Sequence, residues 1–335
     1  MHNSFIIFEY DFIKMVRYKA FLFICFIGIF SNSDAQVLSE DYINYKWEAD
    51  SLYKTENYAA AVGFYRRICD LPSFIPRYDY YYTACCYAKI DKPDSALQYL
   101  EKGAKKGERF SSKKAIDSDK TLMLLHQMKR WDTIRNMLYD NTDMFLRDPS
   151  RNDSIYKVLL DLRVKDQRIR LQMMHDSNWE ATYQAMSKAD RDSSDHEFDT
   201  NDMECEIVLK KIIDKFGWPG LKMVGSDGEE AAWLVAQHSD GDTTFQVFCF
   251  KKMMAAMLNY DSQLNNIAYL QDRILLHEGK EQIYGTQFRS DGTKLVPRPI
   301  RDEKNVDKWR HAVGLPSLET YLSNSAKYFN DAKKK

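Results

Sequence analysis

Three ionisable side chains sit where helical periodicity calls for hydrocarbon. Asp166 interrupts the row Ile155, Leu159, Leu162, Ile169, Met173; Asp272 lies between Tyr269 and Leu276; His238 follows Leu234 by one turn. A buried charge without partners costs several kcal/mol, so each must be paired, neutral, or turned to a polar pocket. Arg170, one turn beyond Asp166 with Gln167 beside it, and Arg273, next to Asp272, are the nearest partners. The chemistry open to such a set is proton transfer. His238 would be the base, Asp166 or Asp272 would orient it or serve as acid, and Arg170 or Arg273 would hold an anion. Tyr284 and Gln287 would bind polar groups of a substrate, and Gln246, an amide in an apolar helix, would orient His238 or a ligand. The plainer alternatives are an Asp–Arg pair that pins one helix and a hydrogen-bonded core histidine.

No Ser or Cys stands in a nucleophile elbow, and neither HExxH nor a phosphate loop is present, so a hydrolase of this kind would use water. No metal or cofactor is expected. Asp195-His196-Glu197 has no second His at a ligating spacing, and there is no CxxC.

The elements that must position these groups follow in order. A helix starts near Asp153, after the break Asp148-Pro149-Ser150. The polar run from Ser187 to Thr200 reads as a mobile loop. Asn201-x-x-Glu204 resembles a capping box opening a helix that ends at Gly217-Trp218-Pro219. Ser226-x-x-Glu229 opens a second, Asp227 to Ser239; then come an almost wholly apolar helix, Thr243 to Leu258, and another, Asn265 to Glu278. Gln282 to Phe288 and Lys294 to Arg298 alternate across Ser290-Asp291-Gly292 as a β-hairpin, in which Gly285 invites the close approach of a backbone or a ligand. A short helix from Val306 and a last turn through Tyr321 precede a frayed tail.

Ahead of these elements, Ala49, Leu52, Tyr58, Ala61 and Tyr65 are echoed 35 residues later by Ala84, Tyr87, Pro93, Ala96 and Leu100. Small residues at such places let paired helices approach closely, and the pattern resembles tetratricopeptide repeats. A degraded third copy spans Lys113 to Met144. Such arrays either dock a protein or peptide or act as a structural cap. The tyrosine run from Tyr78 to Tyr87 suits inter-helix packing.

Residues 1–35 read as a signal peptide: Arg17 and Lys19, the apolar run from Ala20 to Phe30, and the small residues before Gln36. Met15 is a second start site. That run is too short for a membrane anchor, which needs about 20 residues, so the mature protein should be periplasmic or secreted. With 48 basic and 49 acidic residues there is no basic surface for nucleic acid. The five mature cysteines follow no disulfide spacing. The expected organisation is a leader, repeats over 36–147, a helical domain with one β-hairpin over 148–322, and a tail over 323–335. The fold class is mainly α.

The order Asp166-Gln167-x-x-Arg170, Gly217-Trp218-Pro219, Ala231-Ala232-Trp233-Leu234, Gln237-His238-x-Asp240, Phe245-Gln246, Tyr269-Leu270-x-Asp272-Arg273 and Tyr284-Gly285-Thr286-Gln287-Phe288, with Gly314-Leu315-Pro316 and Tyr321 at the end, resembles a bacterial domain family of unknown function. The resemblance covers the C-terminal half and implies no settled reaction. Two functions are therefore carried forward. The first is an exported helical protein that binds a protein, peptide or small ligand; the second is a hydrolase with a His/Asp pocket.

Overall fold

A computed structural model describes residues 38–71, 78–146, 152–175, 179–290 and 295–332. The expected leader, the Asp148-Pro149-Ser150 break and the Asp291-Gly292 hairpin tip lie outside the described residues. The described chain is mainly helical, with one two-stranded antiparallel hairpin. It divides into two compact units, Val37–Asn152 and Asp153–Lys335.

The first unit begins with two helical hairpins, α1 (Glu40–Lys54) with α2 (Tyr58–Asp70) and α3 (Asp79–Lys89) with α4 (Pro93–Lys105). Ser39 caps α1 by accepting from the Tyr42 N–H, Asn57 caps α2 in the same way, and Pro93 starts α4, where a missing N–H costs nothing. Ala49, Ala61, Ala84 and Ala96 are all fully buried. Much of the tyrosine run packs between helices: Tyr82 stacks on Tyr65, and Tyr81 meets Phe110 edge-on. The stretch expected as a third copy forms less helix. Its first helix shrinks to α5 (Lys113–Asp117) and a 3-10 turn, while Trp131, Ile134 and Leu138 of α6 (Trp131–Leu146) enter the core.

Two carboxylates are buried beside the start of α3. Asp79 accepts from the Tyr42 hydroxyl at 3.0 Å and pairs with Lys46 at 3.2 Å. Glu108 accepts from the Tyr80 N–H at 3.2 Å. Burial and the nearby Asp79 push the Glu108 carboxyl up to about 8.

The second unit holds α7 (Asp153–His175), α8 (Trp179–Ala185), α9 (Lys188–Phe216), α10 (Leu221–His238), α11 (Thr243–Met257), α12 (Leu264–His277), β1 (Phe288–Ser290), β2 (Leu295–Pro297), α13 (Val306–Ala312) and α14 (Leu318–Ala332). Its core is α10, which packs against α7 on one side and α12 on another. Ala231, Ala232, Leu234 and Ala236 are buried to 0%, so neighbouring helices can come close.

Five local expectations are corrected. The polar run from Ser187 is helical, not a mobile loop: Ser187 caps α9 by accepting from the Asp190 N–H, and Lys188 pairs with Asp192 at 2.6 Å. Its apolar periodicity is silent because those first turns are mostly solvated and are held by polar contacts such as Tyr183 to Asp195 at 2.8 Å. Asn201 is consequently no cap but a buried residue within α9. The chain does restart near Ser226, because Gly225 at φ 73° breaks α10 there, yet Glu229 does not close a capping box; it turns into the core. The hairpin is also shorter than expected, pairing Phe288 with Pro297 and Ser290 with Leu295, because the backbone of 283–286 is bound elsewhere. At the end, α14 continues to Ala332 where a tail from 323 was expected.

Candidate functional site

The C-terminal turn of α10 gathers most of the polar groups singled out in the sequence. His238 is buried at 2% exposure, and its Nδ1 lies 2.8 and 3.0 Å from the two carboxylate oxygens of Asp166 on α7. Asp166, 1% exposed, also accepts from Gln167 Nε2 at 2.6 Å and from Arg170 Nη1 at 3.0 Å. Arg170 in turn grips Asp202 of α9 through both terminal nitrogens, at 3.1 and 2.9 Å, with its guanidinium over the Phe198 ring. Asp166, Gln167, Arg170 and His238 thus form one knot, to which the structure adds Asp202.

The protonation state follows from these contacts. Burial raises the Asp166 pKa, but His238, Arg170 and Gln167 outweigh it and hold the carboxyl below its usual range. Burial and the charge of Arg170 depress the imidazole of His238 against the pull of Asp166. An ionised carboxylate can only accept, so Nδ1 carries the proton and Nε2 holds a lone pair. Among the described residues Nε2 has no hydrogen-bond partner. Such an imidazole is a proton acceptor of fixed tautomer.

A second knot adjoins the first. Arg273 of α12 holds Asp240 with two hydrogen bonds, at 2.6 and 2.5 Å, and donates to Gln287 Oε1 at 3.1 Å. Gln246 donates to the Gln237 carbonyl and to Asp240, both at 3.3 Å, and its Oε1 lies 3.0 Å from His277 Nδ1. Gln246 therefore orients Asp240 and His277 rather than His238. Burial opposes ionisation of Asp240, but Arg273 prevails and keeps its pKa at about 2. The knots are linked along the chain by His238 and Asp240, and Arg273 contributes to the depressed basicity of His238.

Asp272 and Tyr284 belong to neither knot. Asp272 is fully buried and accepts from the N–H groups of Ile283, Tyr284 and Thr286 and from the Thr286 hydroxyl, between 2.7 and 3.2 Å. Burial lifts its pKa to about 6 against those bonds. With its oxygens engaged in this way, it anchors a loop; no hydrogen bond joins it to His238. Tyr284 is held by the same loop, with its carbonyl taken by Arg310 Nη1 at 2.6 Å. The close approach foreseen at Gly285 comes from a side chain: at φ 64°, a Cβ there would stand 2.8 Å from Ile300 Cδ1.

Sequence reasoning missed Glu229. It is fully buried and ringed by donors from Trp218, Ser262, Gln263 and Asn266, the three side-chain amides and hydroxyls among them at 2.8 to 3.0 Å. Its signal was the four-residue spacing Glu229, Trp233, Gln237, one polar-edged face of α10.

A family model described as "Family of unknown function (DUF6624)" matches residues 154–332. No curated protein matches the chain, and no solved structure does.

Proposed function

Because the chain belongs to DUF6624, a family of unknown function, its activity has to be read from its own residues, and we propose that it is an exported protein whose C-terminal unit binds a small polar ligand at His238. One observation carries this reading: a buried imidazole with Nδ1 committed to Asp166 and Nε2 left without a partner among the described residues. A buried acceptor is normally satisfied, and leaving it unmet costs about 1–3 kcal/mol. Binding a donor at Nε2 removes that cost. The order of basic, apolar and small residues before Gln36 supports export. The fully buried alanines of α1 to α4 support a tetratricopeptide-like array, of the kind that docks a protein or peptide on its concave face.

The Asp166–His238 contact favours a second reading, a hydrolase in which Nε2 takes a proton from water while Asp166 steadies the imidazolium that forms. One experiment addresses both. Thermal stability of the mature protein is measured against panels of sugars, peptides, nucleotides and metal ions, with His238→Gln in parallel and with product analysis of every stabilising compound. A ligand that stabilises the wild type and not the variant supports binding, and its turnover supports the hydrolase. Equal shifts in both proteins would remove His238 from the site.

A further inference from the structure

The near balance of charge over the whole chain conceals a local excess in the first unit. Residues 101–130 hold nine basic side chains against four acidic ones, whereas the chain as a whole has 48 against 49. The four acids are all engaged. Glu101 pairs with Lys105 at 2.8 Å and with Arg130, Asp117 accepts from the Tyr139 hydroxyl at 2.5 Å, and Asp119 accepts from the Tyr81 hydroxyl. Glu108 is the buried acid that holds the Tyr80 N–H. Lys106, Lys114, Lys120 and Lys129 are exposed and have no ion pair among the described residues.

The same stretch carries hydrocarbon to the surface. After α5 the chain runs through successive tight turns, in which the N–H groups of Leu122, Leu125, Met128 and Trp131 donate to the carbonyls of Asp119, Leu122, Leu125 and Met128 at 2.8 to 3.0 Å. Leu122 and Leu125 are buried to 0% in the core formed with α4 and Trp131, and His126 stacks on the Trp131 ring at 4.4 Å. With those two leucines pinned inward, their neighbours are turned out: Met123 and Leu124 are 58 and 42% exposed. Among the described residues of the first unit they are the large apolar side chains left in solvent. Fraying does not account for them, because the 3-10 turn on which they stand (Met123–Leu125) is bonded at both ends. Lys120, Lys129 and Arg130 belong to the same run of turns. The 3-10 turn also packs against α4, where Lys102 and Lys105 share one open depression with Arg130.

We propose that this corner of the first unit is a docking surface for an anionic phospholipid membrane. It is independent of the ligand reading at His238. Two adjacent apolar side chains on a rigid turn enter the boundary between headgroups and acyl chains, while the lysines and Arg130 around them stay level with the lipid phosphates. A basic rim alone would attract any polyanion. Met123 and Leu124 favour lipid, because a phosphate backbone or a run of carboxylates offers them no hydrocarbon to enter. The contact is peripheral and reversible: two side chains are too little to hold a protein permanently, and among the described residues no helix is long and apolar enough to cross a membrane.

The test is co-sedimentation of the full mature chain with vesicles of phosphatidylcholine alone and of phosphatidylcholine containing about one third phosphatidylglycerol, in salt from about 0.05 to 0.5 M. The expected result is binding to the anionic vesicles about tenfold or more tighter than to the neutral ones, weakening as salt rises. Met123→Ser with Leu124→Ser should lower that binding about tenfold and leave the melting temperature unchanged, since both side chains lie outside the core. Lys120→Glu with Lys129→Glu should lower it as much. Lys251→Glu with Lys252→Glu, the same change of net charge on exposed residues of α11, should leave it intact. Met123→Trp gives a reading that does not depend on loss: its emission should move to shorter wavelength with anionic vesicles only. Absence of binding to anionic vesicles, equal loss from the two charge-reversed pairs, or no emission shift from Met123→Trp would each overturn the proposal. So would vesicle binding that survives the serine pair and is displaced by soluble heparin, which would assign the basic residues to a polyanion instead of a membrane.

Discussion

At His238 the proton balance has a measurable sign. Its pKa is lowered in the fold, chiefly by burial and then by Arg170, while an unfolded histidine titrates near pH 6.5. The unfolded chain therefore binds the proton first, and the folded state loses stability as pH falls below about 6.5 and on through the depressed folded value. From pH 7 to pH 5 the urea midpoint of the wild type should fall relative to that of His238→Gln. Asp272 acts in the opposite sense, because its pKa is raised to about 6 by burial. Its contribution is full below the unfolded value and disappears as pH rises through 6, so the His238 term is read from the difference between variant and wild type. The sequence pointed to Asp166, Arg170 and His238 because a charge in an apolar row has few options. It could not separate Asp166, which meets an imidazole, from Asp272, which meets backbone N–H groups, since both look alike along one helix. Asn201 was read as a cap and Asp202 was passed over because the apolar periodicity of α9 fails upstream of Phe198, which put the expected start of the helix at Asn201.

Among the elements, α9 shows how a helix forms without an apolar signature. Its first turns rest on a cap, on exposed ion pairs worth about 0–1 kcal/mol each, and on two bonds from Arg191 to the carbonyls of Gln184 and Met186, at 3.1 and 2.7 Å. Removing the cap by Ser187→Ala should cost about 1 kcal/mol and raise amide exchange in the first turn of α9 while sparing α10. Uniform exchange across both helices would show that the cap does not govern the start of α9. The starts of α7, α11 and α12 were readable to within about a residue from their apolar residues, whereas α10 was expected from Asp227 and begins at Leu221. The hairpin was misread at 282–287 because alternation of side chains says nothing about which acceptor the backbone finds, and there it finds Asp272 and, for Gln287, the side chain of Gln282.

For the molecule as a whole, the first unit carries a pH term opposite in sign to that of His238 in the second. Glu108 in the first unit has its pKa raised to about 8 by burial and by Asp79. The folded state there holds a proton that the unfolded state releases above its ordinary value near 4.3, so stability is full below that value and declines as pH rises through 8. Hydrogen exchange at the Tyr80 amide, which donates to Glu108, should accelerate from pH 5 to pH 8.5 beyond the intrinsic pH dependence of exchange, and Glu108→Gln should remove the excess. The paired-helix character of this unit was visible in its alanine spacing. Its buried acids were not, because Asp79 and Glu108 lie at helix boundaries where a carboxylate is commonplace.

The loop over 283–286 is held from above as well as below. Arg310 reaches the Tyr284 and Gly285 carbonyls at 2.6 and 3.2 Å, and the Tyr321 hydroxyl donates to the Thr286 carbonyl at 2.8 Å. Gln287, which touches Arg273, hangs from that loop. A nascent chain consequently cannot finish arranging this corner until its final two helices have been synthesised and have folded back. A stop codon before residue 306 would leave a polypeptide with nearly all of the polar groups described, but with the loop that carries Gln287 held only from the side of Asp272 and Gln282.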